Sequence, residues 1–85
     1  MNAIASLLSV IDAFGSARDI SDARASTLIF NDGSKVKQLR EGKDIGVRTL
    51  DRSLQWLSNN WPDGAVWPSD VPRPAPTAEI PEAAE

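Results

Sequence analysis

The feature that most narrows the fold of this chain is a repeat just past its middle. Val47, Leu50, Leu54, Leu57 and Trp61 follow one another at steps of three and four, and Pro62 ends the run. Side chains at that spacing share one face of an α-helix, and proline has no N–H with which to continue one. The spacing predicts a helix that starts near Gly46 or Val47 and runs to Trp61. A second stripe of the same kind, Ile4, Leu7, Leu8, Ile11 and Phe14, predicts a helix over 2–15, with Asn2 placed to cap its start and Gly15 its end. Residues 17–20 then connect onward.

Two shorter helices are read between these. Ser21 is a natural N-cap, since its hydroxyl can accept from a first-turn amide, and Asp22 favours the positive end of the helix that follows. That helix runs from Asp22 to Ile29 or Phe30, with Ala25, Leu28 and Ile29 inward. Asn31-Asp32-Gly33 is a turn signal with two readings. Asp-Gly could close a β-hairpin between STLIF and SKVKQL. Val36 and Leu39, however, sit three apart, Gly42 stands where a helix C-terminus wants it, and a lone hairpin is marginal in water. The periodicity favours the helix. The expected fold is therefore all-α: a compact four-helix domain over residues 1–60.

Beyond it the composition changes. WPDGAVWPSDVPRPAP holds five prolines and two tryptophans, and the remaining residues are acidic. Such proline spacing reads as extended chain, so residues 61–85 are expected to form a Pro/Trp-rich C-terminal tail, docked in part or disordered. The net charge of −3 is concentrated there: residues 1–57 carry eight cations against seven anions, and residues 58–85 carry Arg73 against five carboxylates. Bulk charge thus neither demands nor forbids a polyanion partner for the helical part.

Composition removes whole classes of chemistry. The chain has no cysteine, histidine or tyrosine. Disulfides, thiolate metal sites and imidazole acid–base catalysis are therefore absent. No Gly-rich phosphate loop or metal motif is present, and four short helices rarely make a substrate cleft. The reading is that of a non-enzyme with no cofactor and no metal. Asp12, Asp19 and Asp22 lie near one connection, where capping and solvation account for them better than metal ligation. No cation precedes Arg18, as a secretory signal would require, and no apolar run approaches the roughly 20 residues that span a bilayer. A cytoplasmic protein without membrane contact is expected.

The stretch from Ile20 to Leu57 resembles the helix-turn-helix of the lambda-repressor-like domains, the Cro and phage-repressor type. The resemblance rests on Ile20-Ser21-Asp22-Ala23-Arg24-Ala25-Ser26 in the second helix and on Val36, Leu39 and Gly42 in and after the third. Thr49 with the Leu50–Leu57 stripe continues it into the fourth. The chain departs from the family at the turn, where Phe30 and Asn31 stand in place of a glycine followed by an apolar residue. The resemblance implies a DNA-binding regulator of transcription, a small phage- or mobile-element-type repressor that occupies an operator as a homodimer on double-stranded DNA. The third helix would enter the major groove with Val36 and Leu39 inward. Ser34, Lys35 and Gln38 would then meet base edges, since lysine suits guanine and glutamine suits adenine. Ser21, Arg24, Lys37, Arg40, Lys43 and Arg48 would contact phosphates and fix register.

Each of these assignments has a plainer counterpart. Lys35, Lys37 and Gln38 could be a solvated helix face. Trp56, off the Val47–Leu57 stripe, could anchor a dimer or cover the edge of a core too small to hide it. Trp61 and Trp67 favour docking back onto the helices, because an exposed tryptophan is costly, but they could instead bind a protein partner. That last possibility defines a second functional reading: an interaction module, antiactivator or adaptor, that uses the Trp/Pro segment and does not touch DNA.

Overall fold

The computed structural model describes residues 3–75. The expected Asn2 cap and the acidic end of the tail lie outside the described residues. Within them the chain is all-helical, with α1 (Ala3–Arg18), α2 (Asp22–Phe30), α3 (Lys35–Arg40) and α4 (Val47–Asn59), and no strand. The hairpin alternative at Asn31-Asp32-Gly33 is not realised. A type I′ turn needs positive φ at both central residues, whereas here the left-handed residue is Asn31, at φ 58°, and Gly33 is not in that region. Asn31 closes α2 by donating its N–H to the Thr27 carbonyl at 2.9 Å.

α1 is longer than its sequence suggests. Gly15 does not end it; the helix runs on to Arg18 and is closed by Asp19 at φ 56°. The Ile20 N–H reaches back to the Gly15 carbonyl at 3.0 Å and the Asp19 N–H to the Ser16 carbonyl at 3.3 Å. This six-to-one, five-to-two pair satisfies carbonyls that the helix end would otherwise orphan. The same device ends α3 with the residue type that suits it. Gly42, at φ 102°, donates to Leu39 at 3.1 Å and Lys43 donates to Gln38 at 3.0 Å.

α1 lies against the other three helices, α2 touches all of its neighbours, and α3 and α4 do not approach each other. Leu7, Val10, Ile11 and Phe14 of α1 form the middle of the core. Ala25 of α2, Val36 and Leu39 of α3 and Leu57 of α4 close over them. The radius of gyration is 12.3 Å, against about 11–12 Å for a collapsed chain of this size.

α4 turns the face outlined by its leucines toward the core, with Ser53 and Ser58 buried beside them. Val47 opens the helix and is 73% exposed. Trp61 falls outside it, because a residue preceding proline is held away from helical backbone. The buried positions are Ser53, Leu57 and Ser58, flanked by the half-buried Leu50 and Leu54. The two buried serines are hydrogen-bonded, as buried hydroxyls must be: Ser53 donates to the Thr49 carbonyl and Ser58 to the Pro74 carbonyl.

Residues 61–75 are irregular but tied down. The Trp61 indole donates to the Ala65 carbonyl and the Trp67 indole to the Val71 carbonyl, each at 2.8 Å. Val71 is 4% exposed and belongs to the core. Arg73 donates to Ser58 Oγ at 3.0 Å and to the Ser58 carbonyl at 2.9 Å, and Gln55 donates to the Ala75 carbonyl at 2.9 Å. The described part of the expected tail, residues 61–75, therefore packs against the helices.

Candidate nucleic-acid interface

The residues expected to meet DNA are carried by α2, the turn after it, and α3. A buried serine holds this unit together. Ser26, fully buried on α2, donates to the Asp32 carbonyl in the turn and accepts from the Val36 N–H at 3.0 Å. One hydroxyl thus connects the middle of α2, the turn and the first turn of α3. Val36 and Leu39 are 0% and 2% exposed, so α3 is anchored by one face and its other face is fixed in direction.

That other face carries Ser34, Lys35, Lys37, Gln38 and Glu41. Ser34 is the N-cap residue of α3 and is exposed. Asp32 Oδ1 accepts from the Ser34 backbone N–H at 3.0 Å and from its hydroxyl at 2.9 Å. Ser34 Oγ in turn accepts from Gln38 Nε2 at 3.1 Å. The Ser34 amide and hydroxyl, with Lys35 beside them, hold the Asp32 carboxyl below its ordinary value, since hydrogen bonds to the charged form favour it. Lys35 and Gln38 are half-buried, and Lys37 is exposed.

The expected phosphate contacts divide into two kinds. Arg24, Lys43 and Arg48 are exposed cations that form no ion pair among the described residues. Ser21 caps α2, its hydroxyl accepting from the Arg24 N–H at 3.1 Å. Arg40 differs. Its Nε lies 2.8 Å from Asp22, and its Nη2 contacts Asp12 and Asp22 together, so that one guanidinium ties the outer surfaces of α1, α2 and α3. These bonds, to Asp22 foremost and then to Asp12, raise its pKa further above the range in which it could lose its proton. The Arg40 charge is neutralised within the fold. Nothing in the sequence spacing joins residues 12, 22 and 40, so only the tertiary arrangement reveals the tie.

The three tryptophans point inward. Trp56 meets the Phe14 ring edge-on at 5.6 Å between centroids, an arrangement that aromatic pairs prefer. Trp61 lies 6.3 Å from Phe14 and 4.8 Å from Trp67, and the Arg73 guanidinium sits 5.4 Å from the Trp67 ring. Trp56 and Trp61 thus pack on Phe14, and Trp67 packs on Trp61. Among the described residues, the exposed large apolar side chains are Val47 and Val66, at 73% and 82%.

An apolar cleft of about 230 Å³ opens between α1 and the end of α3, lined by Ile4, Ala5, Leu8, Leu39, Gly42 and Lys43. It is smaller than the roughly 300–1,000 Å³ of ordinary ligand pockets, and no carboxylate lines it. Among the described residues, no group of acidic side chains converges as a metal site would require, and no helix is long and apolar enough to cross a membrane. Comparison with family models, with curated proteins and with solved structures finds no match.

Proposed function

We propose that this chain is a sequence-specific DNA-binding regulator of transcription that acts by occupying an operator, with α2, the turn and α3 as a helix-turn-helix of the lambda-repressor-like kind. The observation that carries the reading is the fixed outward face of α3. Val36 and Leu39 are buried beneath it, and Ser34, Lys35, Lys37 and Gln38 are presented away from the core. A recognition helix needs this division between an anchored face and a reading face. The exposed Arg24, Lys43 and Arg48 supply cations around it for phosphate contact. Occupancy by two copies on half-sites about 34–36 Å apart completes the proposal. The rival reading, a protein-binding Trp/Pro segment, is less well supported, because both indole N–H groups are bonded within the chain and the rings pack on Phe14 and on each other.

The test is a titration of the full chain against random-sequence duplex DNA at two salt concentrations, followed by selection of the bound sequences. Binding should weaken steeply with salt, as neutralised phosphates release counterions, and selection should enrich a palindrome. Lys35→Ala or Gln38→Ala should cost about 1–3 kcal/mol on the selected site and relax preference at one base position. Equal losses on every duplex would show that these side chains do not read bases. Absence of binding at low salt would remove the DNA reading altogether.

A further inference from the structure

We infer that Asp32 and Ser34 are positioning residues that fix the amide orientation of Gln38 and thereby make adenine the base this position of α3 accepts; the inference rests on the DNA-binding reading above. Its basis is the direction of two consecutive hydrogen bonds. Asp32 Oδ1 accepts from the Ser34 hydroxyl at 2.9 Å, and Ser34 Oγ lies 3.1 Å from Gln38 Nε2. An ionised carboxylate is an acceptor only, so the single hydroxyl proton of Ser34 is directed to Asp32. What Ser34 then offers Gln38, one helical turn on, is lone pairs. A Gln38 amide turned the other way would set its carbonyl oxygen against the Ser34 oxygen, acceptor against acceptor. The relay therefore selects one of two amide orientations that would otherwise be nearly equal in shape.

The consequence is chemical. With one N–H given to Ser34, Gln38 has its carbonyl oxygen and its second N–H free, an acceptor beside a donor. Adenine shows the complement in the major groove, the N6 donor beside the N7 acceptor. Guanine shows two acceptors there, O6 and N7, and leaves the Gln38 oxygen facing another oxygen. Thymine and cytosine lack the paired pattern. Asp32 touches no base in this account; it acts through Ser34. The Ser34 backbone N–H bond to Asp32, at 3.0 Å, also ties the carboxylate to the first turn of α3 and keeps it in place.

Two measurements test this. In the first, bound sequences are selected from random duplexes with the wild-type chain and with Gln38→Ala, Ser34→Ala, Asp32→Ala and Ser34→Thr. Wild type should prefer adenine at one position by about 5- to 150-fold. Gln38→Ala, Ser34→Ala and Asp32→Ala should each lose that preference at the same position. Ser34→Thr should keep it, because the hydroxyl is retained, and Ser34→Ala should add nothing in a Gln38→Ala background. A Ser34→Ala effect at a different base position, or one that adds to Gln38→Ala, would overturn the relay. Undiminished adenine preference in Ser34→Ala would do the same.

The second measurement uses the free protein. The Gln38 side-chain amide protons, followed by NMR, should shift on Ser34→Ala and Asp32→Ala while the amides of α1 and α4 stay in place. Unmoved Gln38 resonances would overturn the positioning role whatever the DNA result. Failure of the wild-type chain to bind any duplex would overturn the DNA reading and the adenine assignment together. Binding without an adenine preference at the Gln38 position would overturn only the inference made here.

Discussion

At the scale of single residues, the stability of the α2–α3 unit depends on one buried hydroxyl. Ser26→Ala removes both the donor to Asp32 and the acceptor for the Val36 N–H, leaving a buried backbone amide without its partner. An orphaned buried donor costs about 1–3 kcal/mol, so the denaturation midpoint should fall by a corresponding amount with an unchanged slope. A change below a few tenths would mean that water replaces the hydroxyl. Asp32 gives a pH signature. Its folded-state value lies below the ordinary 3.8, so the associated stabilisation is complete above the unfolded value and disappears as pH falls through the lowered folded one. The Ser34 amide resonance should therefore titrate with a midpoint below the ordinary carboxylate value, and Asp32→Asn should abolish that transition. A midpoint at or above 3.8 would contradict the hydrogen bonds assigned to Asp32.

At the scale of elements, α1 carries a prediction that its sequence alone would not suggest. Gly15 is an interior helical residue, and a Cβ there would sit 3.4 Å from the Ile20 carbonyl oxygen, an ordinary van der Waals contact. Gly15→Ala should stabilise the protein by about 0.5–1 kcal/mol, the usual gain in a helix interior, read as a rise in melting temperature. Destabilisation would show that Gly15 is needed for the chain reversal at Asp19. How legible each helix is depends on where its information resides. The Ser21 cap, the α2 limits and the helical choice at Val36 and Leu39 were legible, because each is set by neighbours within a few residues. The end of α1 was not: an aspartate at φ 56° closes it where a glycine four residues earlier gave the stronger local signal. The leucine stripe of α4 was legible, but Val47 is exposed at its start, and Trp61 lies beyond its end while still packing against the core. Ser53 and Ser58 are buried there because partners at Thr49 and Pro74 satisfy them, which hydropathy cannot register. At the candidate site, spacing brought Ser34, Lys35 and Gln38 to one face, whereas the Arg40 tie to Asp12 and Asp22 links three helices and has no local trace.

At the scale of the whole molecule, residues 61–75 are part of the fold. Val71 completes the core, and Trp61 packs on Phe14, itself fully buried, and on Trp67. Core Trp→Ala changes cost about 3–5 kcal/mol; Trp61 is half-buried, so Trp61→Ala should fall near the lower end, about 3 kcal/mol. Total stability for a chain of 85 residues is on the order of 4–13 kcal/mol. Truncation after Asn60 should therefore abolish cooperative thermal unfolding, which calorimetry would detect. A truncated chain that melts cooperatively near the full-length temperature would show that the helices fold without residues 61–75.

The order in which the chain is made gives that closing segment a further consequence. A ribosome releases the four helices before it releases Val71, and domains assemble as synthesis proceeds from the N-terminus. Until residues 61–71 emerge, Phe14 lacks Trp61 and the core lacks Val71. A product interrupted at that stage presents the apolar surface that chaperones and proteases recognise, so synthesis and quality control meet at the same few residues.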